Sequence, residues 1–440
     1  MVKCMGEKEH ETLKPTLGLW SAVAINVGAI IGGGIFVVTG IVAGVAGSAF
    51  VISMIVAAVI ALLTAFSFAQ LTTWQPVEGS GYEYVRQLVS PFAGFLSGWM
   101  WMIGNTFGGA AVSLGFAYYL ASAFPILPVK VVAVVVCLGF AGLNFVGIRQ
   151  SAMLNNVLVV VKLAVLAFFV VFGLTHVNAV NFLPFQPFSS GVLFGAYFIF
   201  FAYAGFARAT IIAEEVKDAK RNVPRAVILS LVISTIVYIL VGIVAVGLVG
   251  SSSLADSNSP LTYAISATGS SVAMQVVSFG GLVATASVLL TGILGVSRMA
   301  FSMARRKDLP KALNLMSARF GTPYVSIWIV GIVMALLAYF VDLTGVVVVS
   351  TFALLFWYVL VNLSAFRLRC EKRLCPRWLP VLGFSTCVLL LAVVFFVAPF
   401  AWIAGVACLL AGAVFYVLRR TLRRRAEAKK NWTAVRVGMG

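Results

Sequence analysis

The sequence predicts an all-α integral membrane protein of twelve transmembrane helices, and three observations predict it. Of 440 residues, 62% are hydrophobic and only 10% charged, with a mean hydropathy of +1.07. A soluble domain is about half apolar and about a quarter charged. Apolar runs recur at lengths near the roughly 20 residues that a helix needs to cross about 30 Å of hydrocarbon. Basic residues collect in alternate loops. The same composition excludes a soluble enzyme and a disordered chain.

The first residues, 1–17, carry charge of both signs and no apolar stretch of their own. They are expected to form a cytoplasmic tail leading into the first span, not a cleaved signal. Apolar runs follow at about 18–42, 48–72, 91–123, 129–147 and 151–174, then at about 189–213, 226–250, 270–303, 323–341 and 345–367, with a last pair at 379–396 and 399–418. The pattern is two series of five spans, 18–174 and 189–367, plus two additional helices over 379–418, a single transmembrane domain over 18–420, and a basic tail over 421–440.

With the amino terminus inside, cytoplasmic loops hold Arg149, then Lys217, Lys220, Arg221 and Arg225, then Arg305, Arg306, Lys307, Lys311 and Arg319, and later Arg367, Arg369, Lys372, Arg373 and Arg377. The opposite loops hold only Lys130. Basic flanks resist translocation, so both termini are expected in the cytoplasm of a multi-pass plasma-membrane protein. This placement also accounts for the net charge of +18, from 31 basic and 13 acidic residues. No nucleic-acid partner is expected, although the basic tail suits anionic lipid. Cys370 and Cys375 share a basic loop, but the chain has only two histidines, so neither a zinc site nor any other metal or cofactor is expected.

Two spans carry signs of interruption. The first contains GAIIGGGIF, with Gly28, Gly32, Gly33 and Gly34 near mid-membrane, where each glycine costs a helix about 1 kcal/mol relative to alanine. Backbone left unpaired at that depth is tolerated only where it lines a cavity or meets a ligand. Gly28 and Gly32 also have the spacing of a close helix-packing face, so packing stays open as an alternative. The sixth span, first of the second series, has one mid-span glycine, Gly205. Interruptions at corresponding places in two halves mark inverted-repeat transporters with a site at the bilayer midplane. A half-helix beginning near Gly33 would aim free N–H groups at a carboxylate, while carbonyls near Ile30, Phe200 and Ala204 would accept from an ammonium. A zwitterion fits both.

Lys162 stands about twelve residues into the fifth span, roughly 18 Å along the axis, too deep to reach water easily. No Asp or Glu lies within any span, so the expected partner is a carbonyl of the broken first span, Gly28 foremost. A buried lysine can exchange a proton during a transport cycle. The alternative is a permanently charged peg between two helices. Asn105, Gly109 and Ser113 recur every four residues on the third span, as a polar stripe on the site or as a packing face. Arg208 can contact substrate or pair with Glu78, Glu83, Glu214 or Glu215 in an inner gate. Phe200, Phe201, Tyr203 and Phe206 can cap a substrate or simply pack, with Phe201 the first to test. Asn222 is expected to cap the seventh span, with Pro224 in its first turn.

GLWSAVAINVGAIIGGGIF, PVEGSGYEYV, FFAYAGFARAT and EEVKDAKRNVPRA together resemble the amino acid–polyamine–organocation (APC) superfamily, specifically its amino acid permeases, from about residue 15 to 420. The resemblance implies a LeuT-like five-plus-five inverted repeat with two additional helices, discontinuous first and sixth helices, and alternating access. It implies an α-amino acid whose carboxylate meets Gly32, Gly33 and Gly34 and over which Phe201 closes. It also likens Lys162 to the helix 5 lysine of a proton-dependent branch. Several cationic carriers of the family have an acidic residue soon after the sixth-helix break. Here Ala207 and Arg208 follow it, so a neutral substrate is favoured.

The expectation is therefore a secondary active transporter that brings in an amino acid with a proton. The alternatives are an amino acid or polyamine exchanger and, from another class, an ion channel. A membrane-embedded enzyme would need clustered carboxylates or histidines that this chain lacks.

Overall fold

In the computed structural model, residues 17–77, 79–146, 151–369 and 373–437 are described. They form α1 (Leu19–Ile30), α2 (Thr39–Ala46), α3 (Phe50–Trp74), α4 (Gly81–Leu88), α5 (Pro91–Ala123), α6 (Val129–Val146), α7 (Ser151–Leu174), α8 (Ser190–Tyr203) and α9 (Arg208–Ile211). There follow α10 (Ala219–Val249), α11 (Ser251–Ala255), α12 (Pro260–Ser266), α13 (Ser271–Arg305), α14 (Tyr324–Phe340), α15 (Leu343–Arg367), α16 (Trp378–Val397) and α17 (Pro399–Val437). Eight helices among the described residues are long and apolar enough to cross a membrane, taking Leu19–Trp74 as one run, and α8 and α14 are shorter apolar helices.

Several helices start where their sequence provides an acceptor for the first free N–H groups. Ser90, followed by Pro91, accepts from Ala93 N at 3.1 Å, Ser270 from Ala273 N at 3.2 Å, and Asp342 from Gly345 N at 3.2 Å. The seventh predicted span begins earlier than its sequence suggested. Asn222 lies inside α10 with its side chain on Lys217 O, and Pro224 sits beyond the first turn. Proline lacks the N–H that would bond the carbonyl of Lys220. Thr73 Oγ1 donates to that carbonyl instead, at 3.3 Å, so α3 helps to satisfy the defect. At the other end α17 continues through Val437, past the apolar run and into the expected basic tail, which is rich in Arg, Ala and Lys, all good helix formers.

Burial follows the logic of a lipid solvent. The apolar stretch Trp402–Leu422 has a mean hydropathy of 1.9 yet only 11% of its most apolar window is buried, and α6 is similar at 22%. In water such exposed apolar surface would be costly, whereas lipid accepts it. The buried interior is formed by α5 packed on α13 and α15, α3 on α10 and α8, and α1 on α10 and α7. Those elements surround the site.

Candidate functional site

The helix α1 stops at Ile30, whose successor Ile31 is extended (φ −77°, ψ 93°), and helical backbone resumes in a π-helical turn, Gly34–Val38, that runs into α2. The helix α8 stops at Tyr203, followed by turns through Gly205 that lead to α9. The two interruptions touch. A Cβ on Gly34 would lie 2.4 Å from Ala202 Cα, and one on Gly205 would lie 2.3 Å from the carbonyl carbon of Ala29, so only glycine permits this approach of backbone to backbone.

Carbonyls released by the breaks are met by tyrosines. Tyr238 Oη donates to Ile30 O at 2.6 Å and to Ala202 O at 3.1 Å, tying one break to the other. Tyr358 Oη donates to Ala204 O at 2.9 Å. Asn26 Oδ1 accepts from Ala209 N at 2.7 Å and so fixes the start of α9 against α1. These residues were not singled out from the sequence. Their available signal was a tyrosine or asparagine inside an apolar span, where a buried polar tip needs a partner.

Beside the breaks lies a cavity of about 60 Å³, walled by α1, α5, the α8–α9 segment, α13 and α15. A water needs about 10–15 Å³ on this measure, so the space holds about four to six. Of the residues expected to bind substrate, Ile30, Gly33, Gly34, Asn105, Phe201 and Ala204 line it, together with Arg208 and Gly109. Three expected residues lie elsewhere. Gly28 gives its carbonyl to Lys162, Gly32 backs onto Val288 so closely that a Cβ would fall 2.0 Å from its Cγ2, and Phe200 is fully buried with its ring edge-on to Tyr358. Within the helices successive residues point about 100° apart, so Phe200 and Phe201 on α8, or Gly28 and Ile30 on α1, cannot both face one cavity. Ser113, in the stripe with Asn105, bonds back to Ala110 O at 2.8 Å and does not line the cavity.

Lys162 is 1% exposed, and its Nζ donates to Gly28 O at 2.9 Å and to Ser287 Oγ at 2.7 Å. Ser287 in turn donates to Ala284 O at 3.0 Å. The amine therefore links α7 to the end of α1 and to α13. Both acceptors are neutral, so its charge is held by dipoles alone.

Arg208 makes no ion pair with a described carboxylate, in contrast to the gate expected from the sequence; Glu78 lies outside the described residues. Its Nη2 donates to Asn105 Oδ1 at 3.3 Å, its Cζ lies 5.7 Å from the centre of the Trp101 ring, and Nη1 has no hydrogen-bond partner. The gate-like ion pairs form elsewhere, between α4 and the end of α13. Glu83 meets Arg306 at 2.6 Å, Arg86 meets Asp308 at 2.7 Å, and Tyr82 Oη donates to Asp308 at 2.5 Å. Burial pushes the Glu83 carboxyl above its ordinary value, opposed by the charges of Arg306 and Arg86.

The sequence pattern of amino acid permeases matches residues 17–417 of this chain. The chain belongs to that family. This permease is 35% identical over 432 residues to an uncharacterized transporter of Mycobacterium tuberculosis, covering 97% of this chain and 96% of the relative. It is 29% identical over 439 residues to a branched-chain amino acid permease of Bacillus subtilis, covering 94% of each. It is 31% identical over 352 residues to cationic amino acid transporter 1 of Arabidopsis thaliana, covering 76% of this chain and 59% of the relative. The permease thus shares its family with proteins named as transporters across nearly its whole length, within the amino acid–polyamine–organocation superfamily.

Proposed function

We propose that this permease is a secondary active transporter that carries an α-amino acid together with a proton across the plasma membrane by alternating access. In this reading its twelve spans form a five-plus-five inverted repeat with two added helices, and both termini are cytoplasmic. The observation that carries it is the cavity between two mutually packed helix breaks, with Lys162 bonded to the carbonyl of Gly28 where α1 approaches its break. The N–H groups that open the turn at Gly34 suit the α-carboxylate. The carbonyls of Ile30 and Ala204 each accept from a tyrosine and keep a second lone pair for the ammonium.

Proton coupling follows from the neutrality of the lysine's acceptors. With two dipoles and no carboxylate to hold it, the ammonium can lose its proton without leaving a buried anion behind, and the neutral amine would hold the Gly28 carbonyl less strongly, loosening α1. A cationic side chain is disfavoured, since among the described residues Arg208 is the one charged residue lining the cavity. The sequence and the branched-chain permease among the relatives favour a neutral side chain, against which stands the cavity-lining Arg208, unpaired with any described carboxylate.

Purified protein in liposomes, offered labelled amino acids with and without an inward proton gradient, tests the proposal. Uptake accelerated by the gradient is expected. Equal uptake under both conditions, stimulated only by internal substrate, would make the protein an exchanger. Conductance without saturable binding would make it a channel.

A further inference from the structure

Among the described residues the cavity's charge has no carboxylate partner. Arg208 is held by one hydrogen bond, to Asn105, and by the face of Trp101, and its Nη1 is buried with nothing to donate to. A Cβ on Gly295 would lie 2.6 Å from Nη1, so the guanidinium packs directly on α13 there. Of the chain's thirteen acids, only Glu83 is buried among the described residues, and it is already paired with Arg306. A guanidinium nitrogen buried without an acceptor is a standing cost that a protein ordinarily removes with a carboxylate. Its fork matches a carboxylate's two oxygens, whereas an apolar side chain would leave it unmet.

We propose that the missing carboxylate arrives with the substrate, so that the transported amino acid is dicarboxylic, its α-carboxylate at the Gly33–Gly34 turn and its side-chain carboxylate on Arg208. This rests on the reading of the cavity as an amino acid site and replaces the neutral side chain that the sequence favours. Asn105 is a positioning residue: its Oδ1 accepts from Arg208 while its Nδ2 is anchored on Trp101 O at 2.9 Å, which orients the guanidinium.

Competition of unlabelled aspartate, glutamate, asparagine, glutamine, leucine and lysine against a labelled amino acid that the wild-type proteoliposomes take up needs no variant. Aspartate or glutamate is expected to compete at least about tenfold better than its amide, because a charge-assisted pair is about twice as strong as a neutral one. The variant Asn105→Asp is nearly isosteric and gives Arg208 an internal anion. It is expected to abolish the preference for the acid over the amide, read as the ratio of their competition strengths, and Arg208→Gln is expected to do the same. A purely structural role for Arg208 would leave the acid-to-amide ratio of Asn105→Asp unchanged, which would overturn the proposal. Uptake of leucine uninhibited by either acid would overturn it too, while leaving amino acid transport intact. Failure of every amino acid to be taken up would overturn both.

Discussion

The contact between Lys162 and Ser287 can be isolated by a double-mutant cycle. Ser287→Ala removes one of the two acceptors of a buried ammonium, leaving Gly28 O alone to hold it. A hydrogen bond to a charged group is worth about 1.5–3 kcal/mol, which is the expected loss from this pair. The same substitution also removes the bond from Ser287 to Ala284 O, but that loss occurs with or without the lysine and cancels in the cycle. In a Lys162→Met background, where an apolar side chain of similar length replaces the amine, Ser287→Ala should cost only the back-bond, about 1 kcal/mol or less. Unfolding titrated with SDS in mixed micelles gives the four stabilities, and liposome uptake with and without a proton gradient gives the functional arm. Lys162→Met is expected to end the response to the gradient. A coupling energy under about 0.5 kcal/mol would show that Ser287 does not hold the ammonium. A gradient response surviving in Lys162→Met would refute its part in coupling.

Tyr238→Phe deprives the carbonyls of Ile30 and Ala202 of a shared donor, and a loss of about 1–3 kcal/mol in the same titration is expected. Gly205→Ala drives a Cβ into the backbone of α1, 2.3 Å from Ala29 C, where no side chain can swing aside. Overpacking of that kind costs about 1–3 kcal/mol, and uptake should fall with it; unchanged uptake would mean that the breaks need not touch. The raised Glu83 carboxyl takes up a proton at a pH where a free glutamate stays ionised. Its pair with Arg306 is therefore complete well above the raised value and weakens as pH on that side falls toward it, the groups around it being Arg306, Arg86, Asp308 and Tyr82. Because the closed state binds this proton more tightly than an opened, solvated Glu83 does, hydrogen exchange of the α4 amides, corrected for intrinsic rates, should slow as pH drops through the raised value in the wild type and lose that dependence in Glu83→Gln; identical profiles would count against the raised carboxyl.

Much of this protein is legible in one dimension. Hydropathy and the placement of basic residues announce a multi-span membrane protein, because the cost of apolar surface in water and of charge in lipid is large and summed over many residues. The run Gly32–Gly34 announces trouble for a helix, and Lys162 in an apolar span announces a need for acceptors. What the sequence left undecided is which atoms meet. In spans that are apolar nearly all round, no amphipathic stripe tells which side faces the interior, so Gly28 and Gly33, five residues apart, could not be assigned to the lysine and to the cavity respectively. The packing of α1 against α7 and α10 made that choice. It also turned Arg208 from any gate carboxylate toward Asn105, paired Glu83 with Arg306, and brought Tyr238 and Tyr358 onto the broken backbone. Composition and spacing determine that polar groups buried in this protein must find partners, and only the three-dimensional path of the chain decides who those partners are.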